Sequence, residues 1–204
     1  MPNNNKEILV NEKIYRTLNS DTVNLHIGCM TAVSQINTSP EHNNNHIFLN
    51  PKIAGQLLVP SSSYNPYFCE DNVIKLGPSV GILTSLGKKQ TDPVPRGKTG
   101  KLFKQIITYG QKKGLFVFAF YVEDVNWKRK TVKGYSITNN GRWFKGNFAL
   151  PTIIYNRIRY RSVEAKSNVR NFFENLKKEP GVFLFNSRFL NKWEVNEVLW
   201  DFEA

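Results

Sequence analysis

The run Leu150-Pro151-Thr152-Ile153-Ile154-Tyr155-Asn156-Arg157-Ile158-Arg159-Tyr160-Arg161 narrows the possible folds of this chain more than any other stretch. Its first half is apolar and β-branched, with no polar alternation. That pattern predicts a strand buried on both faces, as in a helix-covered parallel sheet. Its second half turns abruptly into Asn156, Arg157, Arg159 and Arg161. A buried strand that ends in donors sets them at its carboxyl edge, where open α/β sheets bind ligands. Arginine suits such a place because its planar fork holds carboxylate or phosphate oxygens bidentately. A basic strand end that is merely solvated gives the same sequence, since surface arginine is common.

The stretches around this strand extend the α/β reading. Leu76-Gly77-Pro78-Ser79-Val80-Gly81-Ile82-Leu83-Thr84 is an apolar strand whose glycines let neighbouring backbone approach. Thr99 is placed to cap a helix over residues 100–113, with Gly114 as its stop. Leu115–Val122 predicts a second buried strand. Residues 131–149 predict an antiparallel insertion turning at Asn139-Asn140-Gly141. Ser167 should cap a helix whose Val169, Phe172, Phe173 and Leu176 share one face, and Pro180-Gly181 should end it. Val182–Phe185 reads as a further buried strand, ending in Asn186. A last helix is expected from Asn191, where Asn191-x-x-Glu194 resembles a capping box. Its stripe of Val195, Val198, Leu199 and Phe202 needs a surface to cover, which suggests that the natural polypeptide continues.

The first 75 residues read differently. Residues 1–20 are polar and turn-rich, which predicts a frayed arm with a short strand or one turn of helix. Val23 to Ile36 alternates as a half-exposed strand does. Ile47–Leu49 and Asn72–Leu76 predict short strands. Between them lies a short helix over 51–58, with Asn50 as N-cap and Pro51 at its first position. Short strands separated by turns suggest a small β-barrel or sandwich.

Charge divides the chain at a similar place. Residues 1–95 carry seven Lys/Arg against seven Asp/Glu, and residues 96–204 carry 21 against nine, so the second part holds the whole net charge of +12. An anionic partner follows, and nucleotide phosphate, nucleic acid and acidic polymer fit this charge equally well. The aromatic residues of the basic part follow strand and helix periods, so they read as core and not as a base-stacking platform, which makes nucleic acid the weaker choice. No apolar run approaches the roughly 18 residues that span a bilayer, so no membrane partner is expected. The start, Met1-Pro2-Asn3-Asn4-Asn5-Lys6, lacks a signal-peptide core, so a cytoplasmic location is expected. Cys29 and Cys69 form no metal motif and read as reduced, partly buried thiols.

Two motif-like features carry little. Gly97-Lys98-Thr99 invites a phosphate-loop reading, but the required earlier glycine is Asp92, and Pro93 and Pro95 stiffen the loop. His42 and His46 have helical metal spacing but flank three asparagines in a loop, with no Cys or third His nearby in sequence.

Three blocks in order resemble one family. They are Leu76–Thr84, Leu150–Ile158 with Arg161, and Leu184-Phe185-Asn186-Ser187-Arg188-Phe189-Leu190-Asn191-Lys192-Trp193-Glu194-Val195. Together they resemble the YheC/YheD-type ATP-grasp proteins associated with the endospore coat, over about residues 22–204. The resemblance implies a small, mostly-β module over 1–75 and a Rossmann-like pre-ATP-grasp domain with a mainly parallel sheet over 76–190. Residues 191–204 would then be the first helix of a truncated ATP-grasp domain, with the rest of that domain expected beyond the chain. It implies ATP-dependent joining of a carboxylate to an amine for the full-length protein, and a link to the spore coat. ATP and Mg²⁺ are implied for that full-length protein, and neither is expected to bind this chain tightly, because the adenine pocket, magnesium carboxylates and lid would lie elsewhere. By the same resemblance, Asn156, Arg157, Arg161 and Asn186 face the substrate and Lys192 reaches the ATP phosphates. One departure is Thr152, where the family usually has Asp. That leaves any charge-pairing role at this strand end unsupported.

Overall fold

A computed structural model describes residues 7–38, 46–60, 63–64, 66–85 and 95–187. Among these the chain is a mixed α/β protein built on two mixed sheets.

The first sheet holds seven strands: β1 (Glu7–Val10), β2 (Thr22–Ile27), β3 (Met30–Thr38), β4 (Ile47–Leu49), β5 (Ser63–Tyr64), β6 (Pro66–Glu70) and β7 (Val73–Leu76). Their order is β5-β4-β1-β3-β2-β7-β6, with β1–β3 and β2–β7 parallel and the other pairs antiparallel. Two short helices, α1 (Glu12–Arg16) and α2 (Pro51–Gln56), add Ile14, Ile53 and Ala54 to its buried side. Asn50 caps α2 as its sequence predicts, accepting from the backbone N of Ile53 at 2.9 Å. Two expectations change here. The arm holds the short strand and turn of helix expected of it, β1 and α1, but from Glu7 onward it is not frayed: β1 lies inside the sheet between β3 and β4, with Ile8 and Val10 fully buried. Four residues are too few to show a period, so only pairing with distant strands reveals β1. Where short strands and turns suggest a small β-barrel or sandwich, the described strands form one mixed sheet, with β5 and β6 at its two ends. The reason is that β1 joins β3, and β7 joins β2, in parallel through crossovers that turn counting does not detect. The alternating run 23–36 is likewise two strands, hinged at Gly28.

The second sheet holds six strands: β8 (Ser79–Thr84), β9 (Phe116–Asn126), β10 (Thr131–Ile137), β11 (Trp143–Ala149), β12 (Ile153–Asn156) and β13 (Phe183–Phe185), in the order β11-β10-β9-β8-β12-β13. Strands β9, β8, β12 and β13 run parallel, and β10 and β11 add an antiparallel hairpin. Three helices follow strands: α3 (Gly97–Lys112), α4 (Arg161–Glu164) and α5 (Ser167–Lys177).

The period-2 pattern of β9 shows where the helices lie. Val117 and Ala119 pack with Ile82 of β8 and with Phe103 and Ile107 of α3. Phe116, Phe118 and Phe120 point the other way, into a cluster with Val169, Phe172 and Leu176 of α5. So α3 and α5 cover opposite faces. The β10–β11 hairpin curls over the α5 face, bringing the ring of Phe148 to 5.2 Å from that of Phe116 and 4.6 Å from that of Phe118. Gly134 permits the curl, since a Cβ there would meet Phe118 at 2.7 Å.

The sheets meet at the amino ends of the parallel strands. Cys29 N donates to Leu150 O at 2.9 Å. Gly28 has φ +55, and a Cβ on it would lie 2.5 Å from that carbonyl. One continuous core then runs from Ile8 of the first sheet to Leu176 of the second.

Three local expectations are corrected. Thr99 does not cap α3, which begins two residues earlier with Arg96 at the N-cap and no side-chain cap. Ser167 is the first residue of α5, and the N-cap is Lys166. Strand β13 is parallel but not buried: Phe183 is 63% and Phe185 55% exposed. It ends the sheet's described order, and no described helix covers that face. For the same reason Ile153 and Tyr155 of β12 are only half-buried, although Ile154 and Asn156 are buried.

Candidate functional site

The chain leaves β8 toward one side, through α3 into β9, and leaves β12 toward the other, through α5 into β13. With the two helices on opposite faces, the crossovers diverge and a crevice opens outside the carboxyl ends of β8 and β12. That is the topological switch point, where open α/β sheets hold ligands.

Asn156 closes β12 and is 3% exposed. Its Oδ1 accepts from the backbone N of Ile158 at 3.1 Å, and its Nδ2 donates to Glu164 Oε1 at 2.7 Å. The side chain therefore turns the chain at the strand end and ties α4 to it. Asn186, just past β13 with φ +57, donates from Nδ2 to the carbonyl of Asn156 at 3.0 Å. The two asparagines clamp neighbouring strand ends.

Arg157 N donates to Leu83 O at 2.8 Å, extending the β12–β8 pairing one step and fixing this residue at the crevice. Its guanidinium lies 5.7 Å from the centroid of the Tyr155 ring, a cation–π contact. Arg159 Nη1 donates to Thr99 Oγ1 at 3.4 Å, joining the strand end to the first turn of α3. Arg161 opens α4, three residues before the Glu164 that holds Asn156, and is exposed. Among the described residues no carboxylate forms an ion pair with Arg157 or Arg161.

The structure thus brings Asn156, Arg157 and Asn186 to one edge, with Arg161 on the helix tied to it. Lys192 lies outside the described residues. Sequence reasoning missed Glu164, whose role depends on the one-turn helix α4, too short to leave a period. It also missed the Arg159–Thr99 contact, which joins residues 60 positions apart.

Chemically, this edge offers guanidinium donors, which favour an anion, beside the first turn of α3, whose helix dipole has the same preference. Among the described residues no cluster of three His, Cys, Asp or Glu could hold a metal. A hollow of about 480 Å³ lies elsewhere, on the first sheet, lined by Thr22, Val33, Ser34, Gln35, Lys52, Ile53 and Gln56. Among its described lining residues Lys52 is the one charged group, so it offers less chemistry than the switch point does. No described helix is long and apolar enough to cross a membrane.

These features place the chain among mixed α/β proteins with an arginine-bearing switch-point crevice. Comparison with known proteins gives a distant relationship to the endospore coat-associated protein YheD of Bacillus subtilis (strain 168), 28% identical over 153 residues. The match takes in 75% of this chain and 33% of that protein, so the chain spans about a third of the length of this curated relative. No family model matches the chain. No solved structure matches it.

Proposed function

We propose that the switch-point edge binds an anionic group of a small substrate, carboxylate or phosphate, and that this chain is the substrate-facing, amino-terminal part of a YheD-like ATP-grasp protein of the spore coat. The observation that carries the reading is Arg157, held by Leu83 O at the mouth between two diverging crossovers and paired with no described carboxylate. The β9-β8-β12-β13 order, with helices on both faces, supports a Rossmann-like pre-ATP-grasp domain over residues 76–190. In the full-length protein the remaining ATP-grasp elements would hold ATP and Mg²⁺, whose chemistry would be to make a carboxylate open to attack by an amine, with ADP and phosphate as the groups released. Here Arg157 and Arg161 hold the anion, Asn156 and Asn186 fix the strand ends that carry it, and Lys192 approaches from the following segment.

Isothermal titration of this chain tests both halves. Inorganic phosphate or a dicarboxylate should bind, and Arg157→Ala with Arg161→Ala should weaken binding by about tenfold or more, the loss of one or two charge-assisted contacts. Mg-ATP should show no micromolar binding. Tight Mg-ATP binding by this chain would overturn the division of labour, and anion binding untouched by the double substitution would overturn the site.

The charge asymmetry favours one second reading, a non-catalytic module that docks an anionic spore-envelope polymer or nucleic acid. A polymer bound through many charges releases counterions, so its affinity would fall steeply with salt. A polyglutamate titration at two salt concentrations separates this from a single small-anion site.

A further inference from the structure

Among the described residues the α3 face of the second sheet is only half covered. Helix α3 packs over β9 and β10. One of its flanks faces the β10–β11 hairpin: Gln111 Nε2 donates to Ile137 O, and Lys104 lies beside Gly141. The opposite flank carries Thr99, Leu102, Ile106, Tyr109 and Lys113, which share one side at helical spacing. Thr99 meets Arg159, so this flank looks toward β12. It is apolar yet open, with Leu102 38% and Tyr109 65% exposed. Across from it, the exposed Phe183 and Phe185 of β13 pair in register with Ile153 and Tyr155 of β12. The ring of Phe185 lies 5.3 Å from that of Tyr155. These residues floor a groove whose wall is α3. Two strand spacings are about 10 Å, the width of one packed helix, so the slot above β12 and β13 admits one more helix.

We propose that this groove is the docking site for residues 191–203 of the same chain, a segment outside the described residues. Three observations carry this. The segment starts at Asn191, only five residues beyond Asn186 at the end of β13, and a tether of that length spans up to about 16 Å, enough to reach the slot. Its sequence sets Val195, Val198, Leu199 and Phe202 on one side at helical spacing, an apolar stripe matching an apolar floor. Beside that stripe run Glu194, Glu197 and Asp201, while α3 and the β12 end bring Lys98, Lys113 and Arg159 to the groove. The charges are complementary. The docking does not depend on the anion reading. It sets the start of the segment, with Lys192, on the carboxyl edge that carries Arg157.

Cysteine pairs in the full chain test it, with Cys29 and Cys69 changed to Ser. Phe185→Cys with Val195→Cys should oxidise to an intramolecular disulfide, read by intact mass and non-reducing electrophoresis. Glu174→Cys on the exposed side of α5, paired with the same Val195→Cys, should give several-fold less. Equal yields from the two pairs would overturn the proposal, and so would a disulfide found only between two molecules, which would make a second copy the occupant. Hydrogen exchange gives an independent reading. In Leu199→Asp, amides of 102–109 and 183–185 should exchange several-fold faster while those of 23–27 do not change. Unchanged exchange at the groove would overturn it as well.

Discussion

The two ends of the parallel strands in the second sheet have opposite fates. At the amino ends the first sheet presses its β2–β3 turn against Leu150, and the contact is made by backbone groups and apolar atoms packed without spare volume. At the carboxyl ends Asn156 and Asn186 hold strand ends through side-chain hydrogen bonds, and Arg157 and Arg161 beyond them pair with no described carboxylate. The contrast sets an end closed by tight packing against an end whose arginines pair with no described carboxylate.

Substitutions should separate the two ends, and the largest effect belongs to the core behind the sealed end. Phe118 contacts Phe116, Phe120 and Phe148, so Phe118→Ala should lower unfolding free energy by about 3–5 kcal/mol in urea titration. Next comes the seal itself. Gly28→Ala places a Cβ against Leu150 O at a positive φ, and should cost about 2 kcal/mol in the same measurement. At the open end, Asn156→Ala leaves the N–H of Ile158 without its acceptor and Glu164 without its donor, a loss of about 1–3 kcal/mol. Arg157→Ala with Arg161→Ala should move stability by no more than about 0.5 kcal/mol while anion affinity falls. A double substitution that unfolded the protein would show that the open edge also carries structure.

The smallest effect is a pH dependence in the first sheet. Burial, and then the neighbouring Lys75, lowers the pKa of His26 from its usual 6.5. The unfolded chain thus takes up a proton that the folded chain resists. This contribution to stability is present above pH 6.5 and is lost as pH falls through the lowered folded value. His26→Gln should flatten the acid side of a thermal-unfolding profile and leave its alkaline side unchanged.

Much of the second sheet was legible. The apolar runs 79–84, 116–122 and 153–156 are strands, the face of Val169, Phe172 and Leu176 is a buried helix face, and Gly141 and Gly181 turn where they were expected to. Strong periods over long segments leave few alternatives. The first sheet was less legible, because β1 and β5 are four and two residues long and join the sheet only through distant partners. At the candidate site, residue types announced a donor-rich strand end, but not the use each donor is put to. Asn156 reads as a ligand donor, and only the structure shows that its side chain also braces the strand end, through Ile158 N and Glu164.

Hydrophobic period and charge are local properties of a chain, and for that reason residue order was enough to set the class of fold and the end of the sheet that would be basic. Three-dimensional packing was needed to seal the amino end, to send α3 and α5 to opposite faces so that the crevice opens, and to leave Phe183 and Phe185 exposed. Those outcomes depend on strand order and on which elements cover which face, and neither is written in any short window of residues.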